Sequence, residues 1–154
     1  DTFKADAATV IPAQKAGAIA MSAGVNKGDW CPIVPSSMQS QADENIYVLG
    51  DASVAKSMPK SGFSANSQAK VAANHIRGTL TGSKVFPARY SNTCWSMVAT
   101  DHGIKVGASY KSGTEKIEKT SGFVSKKGES SEIRKATFEE SLGWYSGITS
   151  DMFS

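Results

Sequence analysis

The residues best suited to chemistry lie between positions 46 and 74. Ile46-Tyr-Val-Leu49 is a short run of β-formers that ends in Gly50-Asp51, and Met58-Pro-Lys60-Ser61-Gly62-Phe63 then opens an alanine-rich stretch. A strand ending in Gly-Asp puts a carboxylate at the C-terminal edge of a sheet, where open α/β folds bind ligands. Gly50 lets a ligand approach the backbone, and Asp51 can accept hydrogen bonds from sugar hydroxyls. The helix that follows aims its first N–H groups at the same place and favours negative charge there. A plainer reading stands beside this one: a turn carboxylate that caps a helix. Lys60 reads either as a positive charge beside the ligand or as a solvated loop lysine. Of the two thiols, Cys94 reads on residue type alone as a small buried apolar residue. Cys31, in Asp29-Trp-Cys-Pro32, reads as structural, and a Cys31–Cys94 disulfide stays open. His75 and His102 have no triad or metal partner by spacing, and no CxxC or Cys/His cluster supplies ligand spacing for a metal.

These residues need elements to hold them. Ile46–Leu49 predicts a buried strand, and Ser61 or Ser64 starts a helix that Gly78 or Gly82 ends. Ala65, Ala69, Ala72, Ala73, Ile76 and Leu80 form one stripe of that helix, small enough for close packing. Strand, Gly-Asp loop and helix together predict half of a βαβ-type unit. Upstream, Ala7–Pro12 reads as a strand. Residues 13–24 read as a short helix with Ala16, Ile19 and Ala20 on one face and Gly24 as its stop. Residues 26–45 read as a connection with one extended piece at Ile33-Val34. Downstream, Tyr90–Thr100 and Ile104–Tyr110 predict a hairpin turning at Asp101-His102-Gly103. Lys116–Lys119 and Gly122–Ser125 add short strands, and 126–135 is a charged loop. Thr137–Ile148 predicts a last helix with Thr137 as N-cap and Phe138, Leu142, Tyr145 and Ile148 on one face.

Composition narrows the function classes. With 40% apolar and 20% charged residues, the 154-residue chain is a globular sequence of one domain or part of a larger one. A net charge of +3 is too small to demand a nucleic-acid partner. No apolar run approaches the roughly 18 residues of a membrane span. The chain starts Asp1-Thr-Phe without an initiator Met or a targeting segment, which predicts that it begins partway through a fold.

Several blocks taken together carry a resemblance. They are Gly50-Asp-Ala-Ser53, Met58-Pro-Lys-Ser-Gly-Phe-Ser-Ala-Asn-Ser-Gln68, Ala69-Lys-Val-Ala-Ala73, Asn92-Thr-Cys-Trp-Ser96 and Gly143-Trp-Tyr145 with Ile148–Phe153. The chain resembles the flavin-binding subunit of flavocytochrome c sulfide dehydrogenase, among the disulfide-reductase-like flavoproteins that include sulfide:quinone reductases. The resemblance runs over essentially the whole chain and matches the C-terminal portion of that subunit, roughly its last two-fifths. The family's N-terminal half carries a GxGxxG fingerprint and a cysteine that attaches the flavin covalently, and this sequence has neither.

The resemblance implies an α+β chain. Residues 1–87 would be a fragment of an FAD/NAD(P)-binding α/β region, and 88–154 a small C-terminal α+β domain. It implies FAD as cofactor, with Asp51 on its ribityl or ribose hydroxyls. Gly50 would let the cofactor approach the backbone. Ser61, Gly62 and Phe63 would open the helix whose dipole faces the flavin's pyrimidine edge, and Lys60 would add positive charge nearby. Trp144 would lie beside the flavin or simply anchor the last helix. Cys94 would belong to a redox-active cysteine pair that captures sulfide sulfur, its partner lying in the N-terminal half. The implied activity is sulfide oxidation with electrons passed to a c-type cytochrome in the periplasm, this chain being inactive alone. Two alternatives stay open: a sulfide:quinone reductase-type flavoprotein, and a non-catalytic module that docks a cytochrome.

Overall fold

The computed structural model describes residues 2–153. Its elements are helix α1 (Ala18–Ser22), helix α2 (Gly62–Thr81), strands β1 (Arg89–Ala99), β2 (His102–Ser112) and β3 (Ile117–Val124), and helix α3 (Ser131–Phe153). The strands form an antiparallel sheet in the order β1-β2-β3, so the chain is α+β as expected. No helix among the described residues is long and apolar enough to cross a membrane.

The hairpin follows the sequence closely. Ala99 pairs with His102 across a two-residue loop, and Asp101 takes the left-handed conformation (φ 55°) that a short Asp side chain tolerates. His102 therefore starts β2 instead of sitting in the turn. The two short strands expected after residue 115 are one strand, with a bulge at Thr120 where the pairing steps from Ser109–Ser121 to Tyr110–Lys119. Alternation puts Tyr90, Asn92 and Cys94 on one face with their partners Tyr110, Ala108 and Val106. Trp95 and Lys105 point to the other face, on which α3 packs.

The first face carries the main core. Tyr90, Ala108, Tyr110 and Ile117 are buried against Ile33, Met38, Met58, Val71 and Ala72, so residues on both sides of position 87 share one apolar cluster. Tyr90 donates a 2.6 Å hydrogen bond to the Pro35 carbonyl, and burial pushes its phenol well above the ordinary range. A raised phenol pKa stabilises the fold below the unfolded value of about 10 and loses that contribution as pH rises beyond it. The chain is therefore expected to unfold more easily above about pH 10, and Tyr90→Phe should flatten that alkaline limb. Urea midpoints measured from pH 7 to 11 check this; parallel curves for both proteins would sink it.

Helix α2 has the caps the sequence announces. The Ser61 hydroxyl accepts from the Ser64 N–H, and Gly82 closes the helix in the left-handed conformation at φ 67°. Its packing face differs from the alanine stripe. Ser64, Gln68, Val71, Ala72 and Gly78 are the buried positions, whereas Ala73 and Leu80 are exposed. The stripe is displaced because buried Ser64 and Gln68 are drawn inward by hydrogen bonds, described below, that alanines cannot make.

Four other expectations are corrected. Ile46–Leu49 is not a strand: Ser40 donates to the Ile46 carbonyl and Val48 to that of Met38, so the segment folds back on its own loop with one bridge, Gln39–Tyr47. Without that strand the βαβ half-unit is also absent, and Gly50–Ala52 forms a single 3-10 turn. Among the described residues Ala7–Pro12 has no partner strand, and Ile11 is 83% exposed. Helix α1 is confined to five residues; Ala16 and Ala20 are buried but Ile19 is exposed, with Gly24 turning the chain at φ 67°.

Helix α3 starts at Ser131, six residues before the expected Thr137, because the charged stretch is its first turns. The Arg134 N–H bonds the Ser130 carbonyl, and Arg134 and Thr137 are its buried residues, while Leu142 and Tyr145 face outward. The Ser130 hydroxyl and the backbone N–H at the helix start hold the exposed Glu132 carboxyl below its ordinary range. The whole chain exposes 10369 Å², against the roughly 7,500 Å² of a compact monomer of this mass.

Candidate functional site

The N-terminus of α2 is the meeting point of the candidate residues. Gly50 adopts φ 68°, a conformation that glycine reaches without strain, and its N–H donates to Gln68 Oε1 at 2.7 Å. The Ser53 hydroxyl donates to the Gly50 carbonyl at 2.8 Å. The Gly50–Asp51 turn is thus bolted to α2 through a buried glutamine.

Lys60 closes the same corner. Its ammonium donates to the Asp51 carbonyl, reaches the Ser53 carbonyl at 3.4 Å, and lies 3.6 Å from the Trp30 ring centroid. Loss of hydration lowers its pKa, while the Asp51 charge works in the opposite direction. Beneath it, burial raises the pKa of the Cys31 thiol, and Lys60 offsets part of that. Trp30, Gly50, Lys60, Ser61, Ser64 and Gln68 line a cavity of about 150 Å³.

Across the helix start lies an aromatic cluster. Phe63 stacks on Trp144 with centroids 5.5 Å apart and planes 14° from parallel, and Trp95 sits 5.9 Å from Phe63 and 5.6 Å from Trp144. Gly62 is exposed beside it, where an added Cβ would come only to 4.0 Å of the Trp144 ring. The Trp95 Nε1 is buried without a hydrogen-bond partner among the described residues, an unspent donor of the kind that marks a place for a further group.

Cys94 joins this corner through one residue. Asn92, buried in β1, accepts hydrogen bonds from the Ser61 hydroxyl at 2.5 Å and the Ser64 hydroxyl at 3.1 Å. Its Nδ2 then donates to Cys94 Sγ at 3.4 Å. Cys94 also opens on a groove of about 300 Å³ floored by Ile104, Val106 and Val124 and edged by Lys126 and Arg134. Both cysteines are free thiols, and Cys31 is wholly buried in a second core with Ala16, Ala20 and Val25. The disulfide left open between them is absent.

The structure therefore gathers Gly50, Lys60 and Ser61 around one cavity and sets Gly62, Phe63 and Trp144 on the adjoining wall. Asp51 is exposed at the rim and contributes its carbonyl to Lys60. His75 lies outside, bonded through Nδ1 to the Tyr47 hydroxyl at 2.8 Å. Sequence reasoning missed Asn92, Gln68, Trp30 and Trp95. The signal for Asn92 was an amide among strand formers, and for its partners a Ser-x-x-Ser pair at the helix start.

Residues 86–153 match the family described as flavocytochrome c sulphide dehydrogenase, flavin-binding. The match takes in the sheet, α3, Asn92, Cys94, Trp95 and Trp144, and its cofactor agrees with the FAD expected from the sequence. Over residues 86–153, somewhat under half of the chain, the protein is therefore similar to the flavin-binding domain of that family.

Proposed function

We propose that this chain is the C-terminal part of the flavoprotein subunit of a periplasmic sulfide dehydrogenase, oxidising sulfide and passing electrons to a c-type cytochrome. The observation that carries the reading is the tie between Cys94 and the N-terminus of α2 through Asn92, within a chain whose residues 86–153 match the flavin-binding family. The division at residue 87 into a cofactor-region fragment and a C-terminal domain belongs to the same proposal.

The residues at hand fit one side of an FAD. The capped N-terminus of a 20-residue helix favours negative charge. Gly62 leaves room for close approach, and Trp95 offers a free N–H. The cavity of about 150 Å³ is smaller than the ~300–1,000 Å³ of a drug-sized ligand site, so this chain supplies one wall. Its excess exposed surface suits a protein that is completed by further polypeptide, with a cytochrome docked on the assembly.

In this reading hydrosulfide attacks a disulfide between Cys94 and a cysteine of the family's N-terminal half. The S–S bond breaks, one cysteine leaves as thiolate, and the other carries a persulfide. Release of zero-valent sulfur with re-formation of the disulfide breaks the persulfide S–S bond and requires two electrons and a proton to leave in the same step. FAD held against this wall would supply the two-electron acceptor, with a c-type cytochrome as the eventual recipient. Lys60 and the α2 N-terminus balance the negative charge that accumulates beside them. The complete flavoprotein, mixed anaerobically with sulfide, should lose its visible flavin absorbance and then reduce added cytochrome c. An unbleached flavin would overturn the reading.

A further inference from the structure

Amide orientation in a buried asparagine is decided by what its two ends meet. The Ser61 hydroxyl accepts from the Ser64 N–H at 3.1 Å, so its own proton points to Asn92 Oδ1 at 2.5 Å. The Ser64 hydroxyl adds a second donor to the same oxygen at 3.1 Å. With Oδ1 occupied by two hydroxyls, Nδ2 is left facing Cys94 Sγ at 3.4 Å. A protonated thiol has a weaker option, its S–H reaching back toward Oδ1 at 3.9 Å. The strand register holds the pair together, because Asn92 and Cys94 are alternate residues on one face of β1.

We propose that Asn92 is a positioning residue that stabilises the thiolate of Cys94 and links its charge to the N-terminus of α2. An N–H donor strengthens when its acceptor becomes an anion, so the contact favours loss of the proton to solvent. The two serines fix the amide, and the Ser61 cap makes the first turn of α2 part of the same chain of bonds. Other titratable groups lie around Cys94. Tyr110 from β2 interacts with its charge, and Lys105 from β2 (paired with Glu140), Lys126 and Lys127 from the loop after β3, and Arg134 from α3 (paired with Glu129) line the same groove. Their fields are common to the wild type and the Asn92 variants, so a difference between those proteins reports the amide. The inference deepens the sulfur-capture reading of Cys94, but it is tested without sulfide or flavin.

The measurement is the pH dependence of iodoacetamide alkylation at Cys94 in this chain, resolved from Cys31 by peptide mass spectrometry. Asn92→Ala should move the midpoint up by about 1 pH unit, the size expected for losing a hydrogen bond to an anion. Asn92→Asp keeps an acceptor for both serines but turns a carboxylate oxygen toward the sulfur, so its midpoint should rise further. If either variant fails to give a folded spectrum by circular dichroism, Ser61→Ala with Ser64→Ala replaces it. That pair releases the amide and should shift the midpoint in the same direction. Midpoints within about 0.3 unit of wild type in the folded variants would overturn the role. A shift seen together with normal sulfide oxidation in a Cys94→Ser flavoprotein would keep this inference and remove the sulfur-capture reading.

Discussion

Cys94→Ser in the complete flavoprotein is expected to lower sulfide-driven flavin reduction by a factor on the order of 10³ or more, as removal of a covalent nucleophile does. Serine keeps the size of the side chain and can still accept from Asn92 Nδ2, so the local bonding around the α2 N-terminus survives. What it lacks is the ability to form a persulfide or a disulfide. Cys31→Ser is the matched control. That thiol lies wholly buried in the second core beneath Lys60, so it should change stability more than rate. Stopped-flow bleaching of the flavin separates the two. Bleaching at the wild-type rate in the Cys94 variant would reduce Cys94 to a strand residue and favour a domain that only docks a cytochrome.

The parts of this architecture that local rules govern were legible in the sequence. Ser61 and Gly82 bound α2 because a hydroxyl and a left-handed glycine are what helix ends require, whatever packs alongside. The hairpin through Asp101 was readable for the same reason. What failed depended on partners. Ile46-Tyr-Val-Leu49 has the composition of a strand, yet a strand needs a neighbour, and the Ile46 N–H and carbonyl and the Val48 N–H bond within residues 38–48 instead. The α2 stripe was misassigned because apolar periodicity cannot see that a buried Gln68 or Ser64 is compensated by Gly50 or Asn92. In α3, Thr137 looked like a cap because Ser130, the residue that precedes the first turn and accepts from it, stood inside a charged run. For the site, residue types located the Gly50–Phe63 corner, but the link from Ser61 to Cys94 spans more than thirty positions and follows only from strand register.

Gly103→Ala is expected to be strongly damaging, because at this position the sheet meets the backbone of α3. A Cβ at Gly103 would lie 2.8 Å from the Phe138 nitrogen and 3.0 Å from its Cα, with the Thr137 carbonyl carbon at 3.1 Å. No side-chain rotation relieves a clash with main chain, so the helix itself must move. Overpacking of this kind costs about 1–3 kcal/mol, and here the upper half of that range applies. The displacement is transmitted along a rigid element: Trp144 lies six residues further along α3, stacked on Phe63 at the start of α2. Gly103→Ala should therefore lower the urea midpoint and also alter the near-UV circular dichroism of the Phe63–Trp95–Trp144 cluster. Gly143→Ala, on the same helix with nothing within 4 Å of its added Cβ, supplies the control and should leave the aromatic signal unchanged. In the complete flavoprotein the same Gly103 change should loosen the flavin, since Trp144 forms the outer wall of its proposed site. A wild-type midpoint and aromatic spectrum in Gly103→Ala would mean that α3 does not sit on the sheet as described, and the Trp144 wall would fall with it.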